Sequence, residues 1–412
     1  MSTFVVGYYA VLLIASCAAA YFKQRSAFLL LFSLTLVSLV VGIIGGAGAL
    51  RGIAIFVAVL AAAAGISYAF REFLIEIAKP GLAKELRTAP LTAAFGMFVI
   101  FIYAIAGIFA PWIAPYGEAE IISQAFAPAD GELLLGADQL GRDMFSRIIY
   151  GARNSVGLAL VATSLAFVLG AMAGLLAAVK GGFFDQAMGR TADVIMSIPS
   201  LIFALLMLSI FSGELASPSM SFTLLFVFAF VVGILVLAAA AEGVIGWVIG
   251  LGIAAGIAAL FAGAGISIFN ASEVILIMVV GIIYSPRVYR LTRAVAGNVV
   301  VMDYIEAAKL RGENNWYLIR REILPNSTAP LVAEYGLEFC FVFLLIAGLS
   351  FLGLGIQPPA ADWGSMVREN ATLISFGDIT PLIPAAAIAL LTVAVNFVVD
   401  WMLFRSSGLK EK

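Results

Sequence analysis

The chain has 412 residues, of which 63% are hydrophobic and only 12% charged, with a formal net charge of −2 and a mean hydropathy of +1.09. That composition excludes a water-soluble globular domain and gives no electrostatic basis for binding nucleic acid. The chain contains no histidine, so the usual zinc ligand and the usual general base are both missing; no metal site and no catalytic Ser/His or Cys/His set is expected.

A helix needs about 20 apolar residues to cross the bilayer core. By that rule spans are predicted near 3–21, 27–48 and 52–70, followed by a polar, amphipathic segment from Arg71 to Arg87. Further spans fall near 92–113, 154–178 and 189–211. The stretch 221–266 reads either as two spans, 221–241 and 244–266, or as one span plus a re-entrant piece. The last three lie near 273–292, 329–354 and 380–404. No basic residue precedes Lys23, so the first stretch reads as a retained span rather than a cleaved signal. Cys17 and Cys340 both fall within apolar runs, which argues against a structural disulfide. The fold class is therefore an all-α, multi-pass membrane protein.

Cytoplasmic loops carry the excess of Lys and Arg. With the loop at 303–326 placed in the cytosol, only Arg51, Arg142, Arg147, Arg153 and Arg368 of the 23 basic residues fall on the other face. This sets the N-terminus outside and the C-terminus in the cytosol, and requires an odd number of spans.

The outer loop at 114–153 is the largest on its face. Leu140, Met144, Ile148 and Ile149 stand at helical spacing, and Asp138 is a candidate N-cap. An amphipathic helix at the outer interface is expected. Pro199 should loosen the span at 189–211 near its inner end.

The stretch from Asp303 to Asn326 is the longest polar run in the chain. It cannot sit in lipid, where unmet polar groups cost several kcal/mol each. Glu306 to Arg311 has good helix-forming composition, Gly312 fits a left-handed C-terminal position, and Asn314 or Asn315 could cap a second helix through Ile319. Pro325 is expected to stop that helix.

Glu306-Ala307-Ala308, then Gly312, then Leu324-Pro325 resembles the "EAA loop" of binding-protein-dependent ABC importer permeases, with Glu322 departing from the apolar residue usual there. In the outer loop, Asp138, Gly141, Arg142, Asp143, Arg147 and Arg153 resemble the signature of the dipeptide/oligopeptide branch, as do Ile195 to Ser200, and Leu349 to Gly355 with Pro358-Pro359 and Trp363-Gly364. The resemblance implies a six-span type I permease core with about five additional transmembrane helices. It divides the chain into 1–89 (extra helices and linker), 90–212 (first half of the core), 213–270 (an inserted hydrophobic hairpin) and 271–412 (second half, with the coupling loop at 297–327). It also implies a bacterial inner-membrane location, a second permease subunit, an extracytoplasmic binding protein, and two cytosolic ATPase subunits that use ATP and Mg. A coupling helix with a small-residue face would let the ATPase approach closely. No G-x4-G-K-[ST] loop occurs in this chain, so it is expected to bind no cofactor and hydrolyse nothing itself.

Acidic residues within spans are functional suspects because they are costly in lipid. Glu334 and Glu338 share a helix face; they could line the pathway with Pro199 and meet a cationic group on the substrate such as a peptide amine, or else face a wet inner vestibule or pair with Arg290 or Arg293. Two other readings stay open: an ion-coupled secondary transporter using these carboxylates, and a non-transporting membrane scaffold.

Overall fold

The computed structural model describes residues 48–211 and 271–406, together with scattered helical positions between 11 and 35. The predicted spans at 3–21 and 27–48 are thus mostly outside the described residues, and the hairpin at 213–270 wholly so. Among the described residues there is no strand, only two isolated bridges, and six helices are long and apolar enough to cross a membrane. These fall on the expected spans at 52–70, 92–113, 154–178, 273–292, 329–354 and 380–404, with ends shifted by a few residues or extended into the flanking segments.

The chain divides into two compact units, Met1–Phe95 and Gly96–Lys412. In the first, α1 (Gly48–Ile77) is followed by α2 (Pro80–Leu86), with Pro80 in the opening turn where its missing N–H is harmless. Arg71 fixes this corner: it donates to Ala89 O at 3.0 Å, pairs with Glu72, and lies 5.0 Å from the Tyr68 ring centroid. α3 (Leu91–Ile113) runs on from there.

The second unit is built on the pairing of α5 (Gly157–Lys180) with α8 (Ala271–Val300), its most extensive helix contact. Apolar burial cannot drive helices together in lipid, so close backbone approach must. Ala162, Ala166, Gly170 and Gly174 form a buried stripe at four-residue spacing. A Cβ at Gly170 would stand 2.4 Å from Ser285 O, and one at Gly174 would stand 2.8 Å from Tyr289 O. Only glycine admits this approach.

α4 (Met144–Gly151) leads through a wide π turn (Ala152–Val156) straight into α5. The predicted span at 189–211 is instead a broken pair, α6 (Gly182–Ser197) and α7 (Ser200–Phe211), bent by 88°. The bend falls at Ile198-Pro199, because a residue before proline is pushed out of helical geometry; Ile198 has ψ 129°.

After α8 come α9 (Asp303–Leu310), a single turn at Asn315–Tyr317, a π segment (Leu318–Ile323) and α10 (Leu324–Phe351). The order closes with α11 (Trp363–Asn370) and α12 (Leu382–Ser406). At the core of this unit Trp363 is fully buried, edge-on to Tyr103 and Phe343, and donates from Nε1 to Ile148 O at 3.0 Å.

Candidate functional site

The polar elbow between α8 and α10 is a corner made by local chemistry. Gly312 takes φ +83° and its N–H bonds Lys309 O at 2.9 Å, closing α9. Glu313 N reaches Ala308 O at 3.2 Å, so a second orphan carbonyl is also met. Asn314 caps the next turn by accepting from Tyr317 N at 2.8 Å. The expected stop at Pro325 is not one. Leu324 and Pro325 occupy the first turn of α10, where proline is at home, and the π segment feeds into that helix without a break.

The elbow has two distinct faces. Its underside buries Ile305 and Ala308 completely, packed with Leu318, Ile319 and Ile323 and with Leu175, Leu176 and Ala296 from α5 and α8. Its outer face leaves Glu306, Ala307, Lys309, Arg311 and Gly312 exposed, with Leu310 84% and Val301 79% accessible. Ala308 therefore does not belong to an outward small-residue face: α9 lies on α5 and α8 by its Ile305/Ala308 edge. Glu322 is half-buried, and Ile319 and Ile323 supply the apolar contacts on either side of it.

Deeper in the bundle, Glu334 is half-buried and Glu338 is 2% exposed, with its Oε2 lacking any hydrogen-bond partner. Neither acid pairs with Arg290 or Arg293, as one sequence alternative held. Those two arginines bond Asp193 and Asp185 on α6 instead, with Tyr289 also donating to Asp185. The arginine that meets α10 near these acids is Arg287, its Cζ 5.2 Å from the Phe341 ring centroid, a residue that sequence reasoning passed over among the other basic residues. Pro199 marks the bend between α6 and α7.

At the far end of α5 lies a dense charge cluster. Asp138, Arg142 and Arg147 are 0%, 3% and 1% exposed at the side chain. Asp138 accepts from Arg142 Nε at 2.7 Å and from the Leu140 and Arg142 backbone N–H groups. Both arginines also reach Glu369, at 2.9 and 3.3 Å. The helix here begins later than predicted: its cap is Asp143, which accepts from Ser146 N at 2.8 Å and Ser146 Oγ at 2.6 Å, while Asp138 serves the ion cluster. Gly141 and Arg142 sit in the turn before it, Leu140 is outside the helix, and exposed Arg153 lies in the π turn. The segment is thus largely buried within the protein, with Met144, Ser146, Arg147 and Ile149 closed off from solvent. Glu118 and Asp362 complete the region by accepting from Asn154 and Ser155. No sequence signal marked Glu118, Asp362 or Glu369.

Residues 166–406, more than half of the chain, match the family model described as binding-protein-dependent transport system inner membrane component. Among similar curated proteins, the di/tripeptide transport system permease protein DppC of Pseudomonas aeruginosa is 27% identical over 74% of this chain and 84% of its own length. The dipeptide transport system permease protein DppC of Alkalihalophilus pseudofirmus is 27% identical over 77% and 85%. The glutathione transport system permease protein GsiD of Pectobacterium atrosepticum is 27% identical over 75% and 84%. The elbow, the glycine contacts of α5 with α8 and the spans at 272–300, 315–351 and 382–405 lie within the matched region, and the chain belongs to the family of inner-membrane components of binding-protein-dependent transport systems.

Proposed function

We propose that this chain is one permease subunit of an ATP-driven importer of short peptides, paired with a second permease, two cytosolic ATPase subunits and an extracytoplasmic binding protein. The observation that carries this reading is the two-faced elbow. An exposed outer face at Glu306, Ala307 and Leu310 rests on an underside packed against α5 and α8. Such a surface can receive a push and hand it to the membrane helices, because close-packed interiors transmit displacement. The peptide class is supported by the names of three relatives that align over most of their length. ATP and Mg belong to the ATPase subunits in this reading, and Glu334, Glu338 and Pro199 border the route through the membrane. The basic-residue bias supports a cytosolic elbow and C-terminus. The extra N-terminal helices serve as packing or as a docking surface.

The test is uptake of a labelled dipeptide by liposomes holding the complete assembly. Uptake should require ATP and the binding protein, and a cysteine at Ala307 should cross-link to the ATPase subunit. Uptake that survives ATP depletion and collapses with an ion gradient would instead favour a secondary transporter.

A further inference from the structure

Three arginines follow one another along α8, and they are treated differently. Arg290 and Arg293 each hold a carboxylate on α6. Arg287 has no ion pair or hydrogen bond to any described residue. It is held by aromatic faces, its Cζ 5.1 Å from the Tyr284 ring centroid and 5.2 Å from that of Phe341. Stacking fixes the guanidinium plane while leaving its edge N–H donors unused. The Tyr284 hydroxyl donates to Phe341 O at 3.2 Å, which locks the two rings to one another.

Across from it stands the complementary group. Glu338 on α10 is 2% exposed with Oε2 unmet, and its neighbour Glu334 is half-buried. A buried, unpaired carboxylate oxygen at this depth is costly unless something meets it. Arg287 meets the ring of Phe341, which stands three residues from Glu338 on α10, so the two charged groups lie on facing stretches of α8 and α10. At about 1.5 Å per residue, Arg287 and Glu338 each stand about 20 Å from the elbow end of their helix. The backbone is irregular at the same level. Pro286 cannot donate to Ile282 O, and the Ser285 hydroxyl takes that acceptor at 3.1 Å. Broken helical bonding at mid-membrane is tolerated where it borders a cavity or a protein-lined route.

We infer that Glu338 and Arg287 form a station for the two charged ends of a zwitterionic peptide, Glu338 accepting from the ammonium group and Arg287 donating to the carboxylate. This rests on the importer reading above. A passing zwitterion needs one acceptor and one donor that are not consumed by each other. Here the acid has no partner, and the base is positioned by rings alone. Glu334, one turn nearer the elbow, supplies the second negative charge for an ammonium group moving inward.

The test uses the complete importer in liposomes, with saturating binding protein and three labelled substrates: Ala-Ala, Ala-Ala amide and N-acetyl-Ala-Ala. The binding protein is the same in every arm, so its own preference cancels in the variant-to-wild-type ratio for each peptide. Glu338→Gln should lower that ratio about tenfold for Ala-Ala and its amide, the scale of one charge-assisted hydrogen bond, and leave the acetylated peptide near unity. Arg287→Gln should do the reverse, sparing the amide, while Arg287→Lys restores part of the loss. If Glu338→Gln fails to assemble, Glu338→Asp serves the same comparison through its shorter reach. Equal ratios for the three peptides, whether all lowered or all unchanged, overturn the station while leaving the importer reading in place. Absence of ATP-driven uptake of every peptide by the wild type overturns both.

Discussion

Adjacent alanines in the elbow should respond to the same substitution in opposite ways. Ala308 is fully buried against Ile305, Leu318, Ile319 and Ile323, whereas Ala307 is exposed. Ala308→Leu forces three extra carbons into a closed site, and overpacking of this kind costs about 1–3 kcal/mol. Ala307→Leu adds the same carbons to an open surface, where stability changes stay within about 0.5 kcal/mol. Thermal unfolding of the detergent-purified chain should therefore drop for Ala308→Leu and hold for Ala307→Leu. ATPase capture should show the converse ordering once corrected for folded protein: Ala307→Leu places its side chain directly on the outer face and weakens capture. Unchanged unfolding for Ala308→Leu together with lowered unfolding for Ala307→Leu would mean that α9 lies on its opposite edge, and the elbow would have to be rebuilt.

Gly170→Leu sets a side chain against Ser285 O and Val288, where even a Cβ would stand 2.4 Å from the former; the α5–α8 pair should open, and the yield of folded chain on size-exclusion chromatography should fall severely. Glu369→Leu leaves Arg142 and Arg147 buried with only Asp138 as carboxylate partner; breaking such a network costs about 3 kcal/mol or more, read as a lowered unfolding temperature. Asp143→Ala removes the cap of α4 and should cost about 1 kcal/mol, with Asp143→Asn recovering most of it in the same assay.

Much of the fold could be read because the bilayer imposes it. Continuous apolar runs long enough to cross hydrocarbon have few alternatives, and the helices at 91–113, 272–300 and 382–405 follow those runs closely. The turn at Gly312 and the cap at Asn314 were readable because both are local, set by the backbone freedom of one residue and the side chain of another. Pro325 misled because proline suits both the end of one helix and the first turn of the next; only the neighbouring π segment decides between them. Asp138 and Asp143 both precede helical apolar spacing. The choice falls to Asp143 because the Asp138 carboxylate is already occupied by Arg142 and Arg147. Glu369 could not have been found at all: it meets Arg142 from 227 residues away, with nothing local to announce the pairing. Arg287 was hidden for a different reason, since sequence distinguishes it in no way from Arg290 and Arg293, and only the rings of Tyr284 and Phe341 set it apart.

The placement of these groups connects the elbow to the charged pair through a short physical route. The underside of α9 packs on Leu175 and Leu176 of α5 and on Ala296 of α8. Those two helices are in turn gripped together at Gly170 and Gly174, where no side chain separates their backbones. A load applied at Glu306 or Ala307 therefore falls on α5 and α8 as one body, since neither can slide without driving a glycine Cα into a carbonyl. Arg287 rides on that body, about 20 Å from the loaded end. Glu338 stands on α10, which continues from the π segment whose Leu318, Ile319 and Ile323 pack in the same cluster as the underside of α9. The donor and the acceptor thus stand on two different helices, both of which run into the elbow. A station divided in this way can change its grip on a charged peptide when the elbow moves.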